Sequence, residues 1–213
     1  MTYILHNRLG SGGFATEAAL AVAGVPFKLK LLDSTPGTPL PESFREVNPW
    51  RQVPTLITPE GAVITETAAT LIHISLAHPG ADVGPPQGTA AYTQLLRWTS
   101  FLGANVYEAI RGRAYPERYT TDPDGLAAVS EASIGRIDTA FTLLESVLKT
   151  DRFLLGGSMS VADIYLAMLF AWHRNHEPYP HCTTLTDRIA AHAIIAPIWE
   201  RNFDHRLSRK WGR

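Results

Sequence analysis

The sequence predicts a two-part protein: a mixed α/β unit over residues 1–78, a linker over 79–88 and an all-α part over 89–213. Three observations carry this. Before residue 78 the apolar residues come in short runs separated by glycine and proline turns. The stretch HPGADVGPPQG, from His78 to Gly88, is rich in turn residues. Beyond it, apolar residues recur at gaps of three and four, the period of an amphipathic helix.

Tyr3 to Leu9 reads as a strand, and Gly13 to Ala23 as a helix. Gly24 and Pro26 stop that helix, glycine by tolerating a left-handed turn and proline by lacking an N–H. Phe27 to Asp33 alternates and reads as a second strand. STPGTPLPESFREVNP is proline-rich and reads as a loop with a short helix. Val53–Thr58 and Ala62–Thr65 are β-branched runs around the turn PEG, which predicts an antiparallel hairpin. Glu66 to Ala77 reads as the next helix. The order is β-α-β, a loop, then β-β-α.

In the second part, Ala90–Arg111 places Tyr92, Leu95, Leu96, Thr99, Leu102, Val106 and Ala109 on one face. Leu126–Lys149 does the same with Ile134, Ile137, Phe141, Leu144 and Leu148. Val161–Arg174 is apolar nearly all round, which predicts a buried central helix. Amphipathic stretches follow near Leu185–Ala193 and Ala196–Leu207.

The composition, 45% hydrophobic and 18% charged, is that of a soluble globular protein. A net charge of −1 provides no basic footprint for nucleic acid, and the basic end SRKWGR reads as a solvated tail. No apolar run reaches the roughly 20 residues of a membrane helix. Cys182 is the only cysteine, so no internal disulfide forms. No signal-peptide pattern opens the chain, and these features together predict a cytoplasmic protein without membrane contact.

LGSGGFATEAAL, from Leu9, matches the G-x-G-x-x-A spacing of a dinucleotide loop, with Asp33 about where a ribose carboxylate would lie. The strand before it argues otherwise. A parallel, doubly covered sheet needs a nearly continuous apolar first strand, and His6, Asn7 and Arg8 interrupt this one. The remaining physics is that of a turn leading into a helix N-terminus. Backbone amides and the helix dipole there favour an anion, and a thiolate held there has a lowered pKa. The plain alternative is a tight turn with Ser11 as helix cap.

A second stretch changes the balance: VNPWRQVPTLITPEGAVITETAATLIHISL. A cis Val53–Pro54 bond would expose the Val53 amide and carbonyl to an extended peptide. Glu66 and Thr67 stand at a helix N-terminus, where free amides and a hydroxyl grip a carboxylate and an acid takes an ammonium. The pattern NP-x-x-Q-VPTL, then G-x-x-I-T-E-T-x-A, resembles the thioredoxin-like half of the glutathione transferases. FLLGGSMSVADIYLAMLFAW resembles the buried helix of their all-α half, with Ser160 and Asp163 as a structural capping box.

The resemblance implies a thioredoxin-like N-terminal domain, an all-α C-terminal domain, a homodimer, and glutathione as co-substrate. It assigns the peptide backbone to Val53 and Pro54, the γ-glutamyl end to Glu66 and Thr67, and a further peptide contact to Gln52. It implies transfer of glutathione to an electrophilic, aromatic substrate, as in detoxification. Isomerase, lyase, peroxidase or ether-cleaving chemistry on the same scaffold is the enzymatic alternative, and a non-catalytic interaction module is the other. In the family one hydrogen bond near the end of the first strand stabilises the thiolate. Carried over, that role falls to Ser11, with the register open over Gly10 to Gly12 and the Gly12 and Gly13 amides as further donors. Tyr107 offers a second hydroxyl, or a packed helix tyrosine. The second-substrate pocket is expected between the halves, lined by Phe14, Tyr107, Arg111, Tyr115 and Trp172. Tyr3 lies too early in the strand and reads as core.

HRNHEPYPHC offers His173, His176, His181 and Cys182 as metal ligands, but no second pair has ligand spacing, so no metal is expected. Cys182 beside His181 is weak as a nucleophile, because sequence neighbours rarely face each other productively.

Overall fold

The computed structural model describes residues 2–35, 38–81 and 83–203. The basic end of the chain, and the last residues expected in the final helix, lie outside them. Strands β1 (Tyr3–Asn7), β2 (Phe27–Leu31), β3 (Thr55–Ile57) and β4 (Val63–Thr65) form one sheet in the order β2-β1-β3-β4. β1 runs parallel to β2 and antiparallel to β3, and β3 pairs antiparallel with β4 as a hairpin. The central strand β1 is buried at four of five positions, while the edge strand β2 alternates between half-buried and exposed residues. That contrast explains why β1 lacks the alternation of a one-sided strand.

Helices α1 (Gly13–Val22) and α2 (Thr67–Ala77) pack on each other, and both reach into the helical part. That part holds α3 (Ala90–Phe101), α4 (Glu108–Ala114), α5 (Leu126–Leu148), α6 (Val161–Ala171), α7 (Pro180–Ala190) and α8 (Ala196–Phe203). The architecture is a thioredoxin-like unit followed by an all-α unit.

α6 is the buried central helix that its composition predicts, with ten of its eleven residues buried. Its start is fixed by the capping box. The Ser160 N–H donates to Asp163 Oδ2 at 2.8 Å, and Asp163 Oδ1 accepts from the Leu154 N–H at 2.8 Å. Burial pushes the Asp163 carboxyl up to about 6 against these stabilising bonds. The Val161 N–H donates to Val83, which ties the linker to the same point.

Two expectations from periodicity need correction. Ala90–Arg111 is not one regular helix: between α3 and α4 the backbone is π-helical over Leu102–Tyr107. An i→i+5 turn holds about one residue more than an α turn and rotates the residues after it. Leu96, placed on the apolar face, is 36% exposed; Trp98 is buried instead, with Arg97 over its ring. The expected helix at Leu185–Ala193 runs earlier, over Pro180–Ala190, with proline in its first turn.

His173, just past α6, is 8% exposed. Its ring lies 4.9 Å from that of Phe141 and 5.4 Å from that of Tyr179. Burial pushes its imidazole down to about 4, and Asp138, 3.9 Å away, opposes that only in part. An unfolded histidine takes a proton near pH 6.5, while this folded one refuses it until about 4. The resulting stability is fully present above the unfolded value and is lost as pH falls from there towards 4. In urea unfolding across this window His173→Phe should flatten the pH dependence, removing up to about 3 kcal/mol of acid-linked loss.

Candidate functional site

The sheet brings three loop segments to one end. His6 pairs with Thr55, and Thr55 pairs with Thr65. The turn after β1, the Val53–Pro54 bond before β3 and the Glu66–Thr67 pair after β4 therefore leave the sheet together. These are the segments the sequence singles out, although more than fifty residues separate the first from the last.

The Val53–Pro54 bond is cis. Pro54 is buried and Val53 half-buried, and no described residue hydrogen-bonds to the Val53 amide or carbonyl. The loop before it is held from within. Asn48 Nδ2 donates to the Gln52 carbonyl at 2.9 Å and to Thr55 Oγ1 at 3.1 Å; the Thr55 hydroxyl also donates to Gln52. Arg51, at φ 52°, pairs with Glu42 at 2.8 Å.

Glu66 is exposed and adopts φ 65°, a left-handed conformation that costs an L-residue about 1–3 kcal/mol. It stands at the N-cap of α2, and its side chain makes no cap hydrogen bond. The first amides of α2 are thus left for an anion. Thr67 is 3% exposed, and its hydroxyl donates to the Gly12 carbonyl at 3.3 Å.

The β1–α1 turn is built around Asn7. Its Oδ1 accepts from the Arg8 N–H at 2.7 Å and from the Ser11 hydroxyl at 2.8 Å. Its Nδ2 donates to Glu17 Oε2 at 3.4 Å, and Glu17 pairs with Arg201 of α8. The Gly10 N–H donates to Asn202 Oδ1 at 3.0 Å. Gly10 has φ 69°, which a side chain rarely tolerates. A β-carbon on Gly13 would stand 1.9 Å from Asn7 Oδ1, and one on Gly12 2.6 Å from Tyr107 Oη and 2.8 Å from Thr67 Oγ1. Gly12, not Ser11, is the N-cap of α1, while Ser11 Oγ accepts from the Gly13 N–H at 3.2 Å.

Of the residues expected around a second substrate, four gather and one does not. The Tyr107 ring lies 5.4 Å from that of Trp172, and Arg111 and Tyr115 act on the Tyr107 phenol electrostatically. Arg111 pairs with Glu108 at 3.2 Å, and Glu108 accepts from the Tyr119 hydroxyl at 2.6 Å. Arg118 lies over the Tyr115 ring at 4.2 Å, and Arg113 donates to the Trp172 carbonyl at 3.0 Å. Phe14 cannot line a pocket. It is fully enclosed because Trp199 and Phe203 of α8 cover its ring at 5.4 and 4.9 Å.

The remaining candidates lie elsewhere. The Tyr3 hydroxyl meets His73 Nε2 at 3.0 Å and His78 Nε2 at 3.3 Å. Asp33 accepts from the Thr35 N–H at 2.8 Å, closing a local turn. His176 Nε2 donates to the Phe170 carbonyl at 3.0 Å. Cys182 is buried, and burial together with Glu145 holds its thiol well above the usual range. Asn7, Glu17, Arg201 and Asn202 were missed. The one signal was Glu17, a carboxylate within an alanine-rich helix, which needs a partner once buried.

The glutathione S-transferase N-terminal domain family matches residues 15–75, and the C-terminal domain family matches 127–188. The chain belongs to the glutathione S-transferase family. Its relatives include the uncharacterised GST-like protein YncG of Escherichia coli, 28% identical, with 85% of this chain and 87% of that protein aligned. Glutathione S-transferase GST-4.5 of Xanthomonas campestris is 23% identical over 79% of this chain and 81% of that one. A glutathione transferase homologue from Sulfitobacter, solved with bound glutathione, has a TM-score of 0.86 at 20% identity, covering 95% of this chain and 99% of that one. A sphingomonad glutathione S-transferase in complex with glutathione has a TM-score of 0.78 at 25% identity, covering 92% and 97%.

Gly13→Ala should destabilise the fold by about 2 kcal/mol or more, because its methyl meets a fixed carboxamide. Urea denaturation checks this, and adding Asn7→Ala should recover part of the loss in a double-mutant cycle.

Proposed function

We propose that the protein is a glutathione transferase that binds glutathione along the sheet end and activates its thiol for attack on an electrophilic aromatic compound. One observation carries the reading: Tyr107 and Thr67 meet at Gly12, their hydroxyls 2.6 and 2.8 Å from where a β-carbon on Gly12 would stand. The glycine turn, the acid–hydroxyl pair and the helical half thus converge on one small volume. The unpaired Val53 backbone offers an amide and a carbonyl to the cysteinyl residue. The uncapped α2 N-terminus receives the γ-glutamyl carboxylate, and exposed Glu66 takes the ammonium. The sulfur then lies towards the turn at residues 11–13. The glutathione bound in the Sulfitobacter and sphingomonad proteins supports glutathione as the ligand.

The reading includes Gln52 as a further peptide contact, with Tyr107, Arg111, Tyr115 and Trp172 lining the electrophile site. It places the protein in the cytoplasm and makes it a homodimer. Support for the dimer comes from exposed apolar residues on α2 and the two elements that pack on it: Val63 of β4, Leu76 of α2 and Leu96 of α3.

Calorimetric titration with glutathione should show binding at micromolar to millimolar concentration, with turnover of a chlorinated nitroaromatic. No binding at millimolar glutathione overturns the reading. Glu66→Ala should weaken binding roughly tenfold by removing a charge-assisted bond. Light scattering should give twice the chain mass; a monomer removes the dimer from the proposal.

A further inference from the structure

A hydroxyl from outside the turn closes on it. Tyr107 closes the π-helical segment of the helical half, and its Oη lies 2.6 Å from where a Gly12 β-carbon would stand. It occupies the space of a side chain that position 12 lacks. Its ring is fixed between Tyr165, at 6.3 Å and 83°, and Trp172, at 5.4 Å and 47°. The Gly12 backbone acts on its oxygen to favour the ionised form, and no described residue accepts its proton in a hydrogen bond, which leaves that proton for another acceptor. Ser11 is placed differently. Its hydroxyl donates to Asn7 Oδ1 at 2.8 Å and accepts from the Gly13 N–H at 3.2 Å, so its proton is already committed.

We propose that Tyr107 supplies the hydrogen bond that holds glutathione as its thiolate, and that position 12 is glycine because this hydroxyl fills the site a side chain would take. The proposal rests on the glutathione-binding reading above. The step is an ionisation: the sulfur keeps the electron pair, its proton leaves to solvent, and the phenol keeps its own O–H while donating to sulfur. Burial is the main cause that pushes the Tyr107 phenol up to about 12, so it remains a donor at neutral pH. The other charged or titratable groups acting on it are Arg111, which favours its ionisation, and Glu66 and Tyr115, which oppose it. The π-helical turn is the device that presents the ring, since it sets the rotation of the helix at residue 107.

The test follows the ultraviolet absorbance of the bound thiolate against pH, with glutathione affinity measured separately by calorimetry. Tyr107→Phe keeps the ring and should raise the apparent pKa of the bound thiol by about one unit, a tenfold loss of thiolate below it. Turnover per bound glutathione should fall roughly tenfold to a hundredfold, while affinity changes less than about threefold. Ser11→Ala should move the thiol pKa less than Tyr107→Phe does. Gly12→Ala, whose methyl displaces the hydroxyl with Tyr107 intact, should reproduce the rise and serves if the phenylalanine variant fails to fold. A Tyr107→Phe protein that binds glutathione with the wild-type thiol pKa overturns the inference alone, as does a larger rise in Ser11→Ala. A wild-type protein that binds no glutathione removes both the inference and the reading beneath it.

Discussion

A backbone without a side chain lets two halves of this protein touch. At Gly12 the turn after β1 is bare, so Tyr107 from the helical part and Thr67 from α2 close on it directly. Neighbouring constraints serve that approach. Gly13 is bare so that the Asn7 carboxamide can lie across the turn and hold it by two accepted bonds. Gly10 bends through a left-handed conformation to start it. The polar end of β1, which argues against a nucleotide sheet, is what rigidifies the turn.

The helical half does more than cover the sheet. α8 closes over Phe14 with two aromatic rings, pairs Arg201 with Glu17, and takes the Gly10 N–H on Asn202. Burial pushes the Glu17 carboxyl up, and Arg201 and Asn7 oppose that only in part. A buried carboxylate paired in this way defines one docking arrangement for α8, since losing either partner leaves a polar group stranded.

Much of this was legible in the sequence, for physical reasons. Hairpin, helices and linker follow from period and turn residues, which are local properties. The buried character of α6 follows from its apolar circumference, and its start from Ser160 and Asp163. The sheet-end segments were recognisable because Val53–Pro54 and Glu66–Thr67 each carry a local backbone signature. The π-helical segment was not legible, because i→i+4 and i→i+5 turns place apolar residues at nearly the same spacing over so short a run. Phe14 was misplaced because an aromatic residue beside a glycine turn reads alike whether it faces a cleft or a helix far along the chain. The Asn7–Glu17–Arg201 chain spans 194 positions, and no local pattern encodes a partner at that distance.

The bond from the Gly10 amide to Asn202 also sets an order in time. Gly10 leaves the ribosome well before its partner, which follows 192 positions later. At 5–20 residues per second that gap is roughly 10–40 s. During synthesis the turn after β1 therefore waits for the last described helix to arrive. Its finished shape belongs to the whole chain rather than to the domain that contains it.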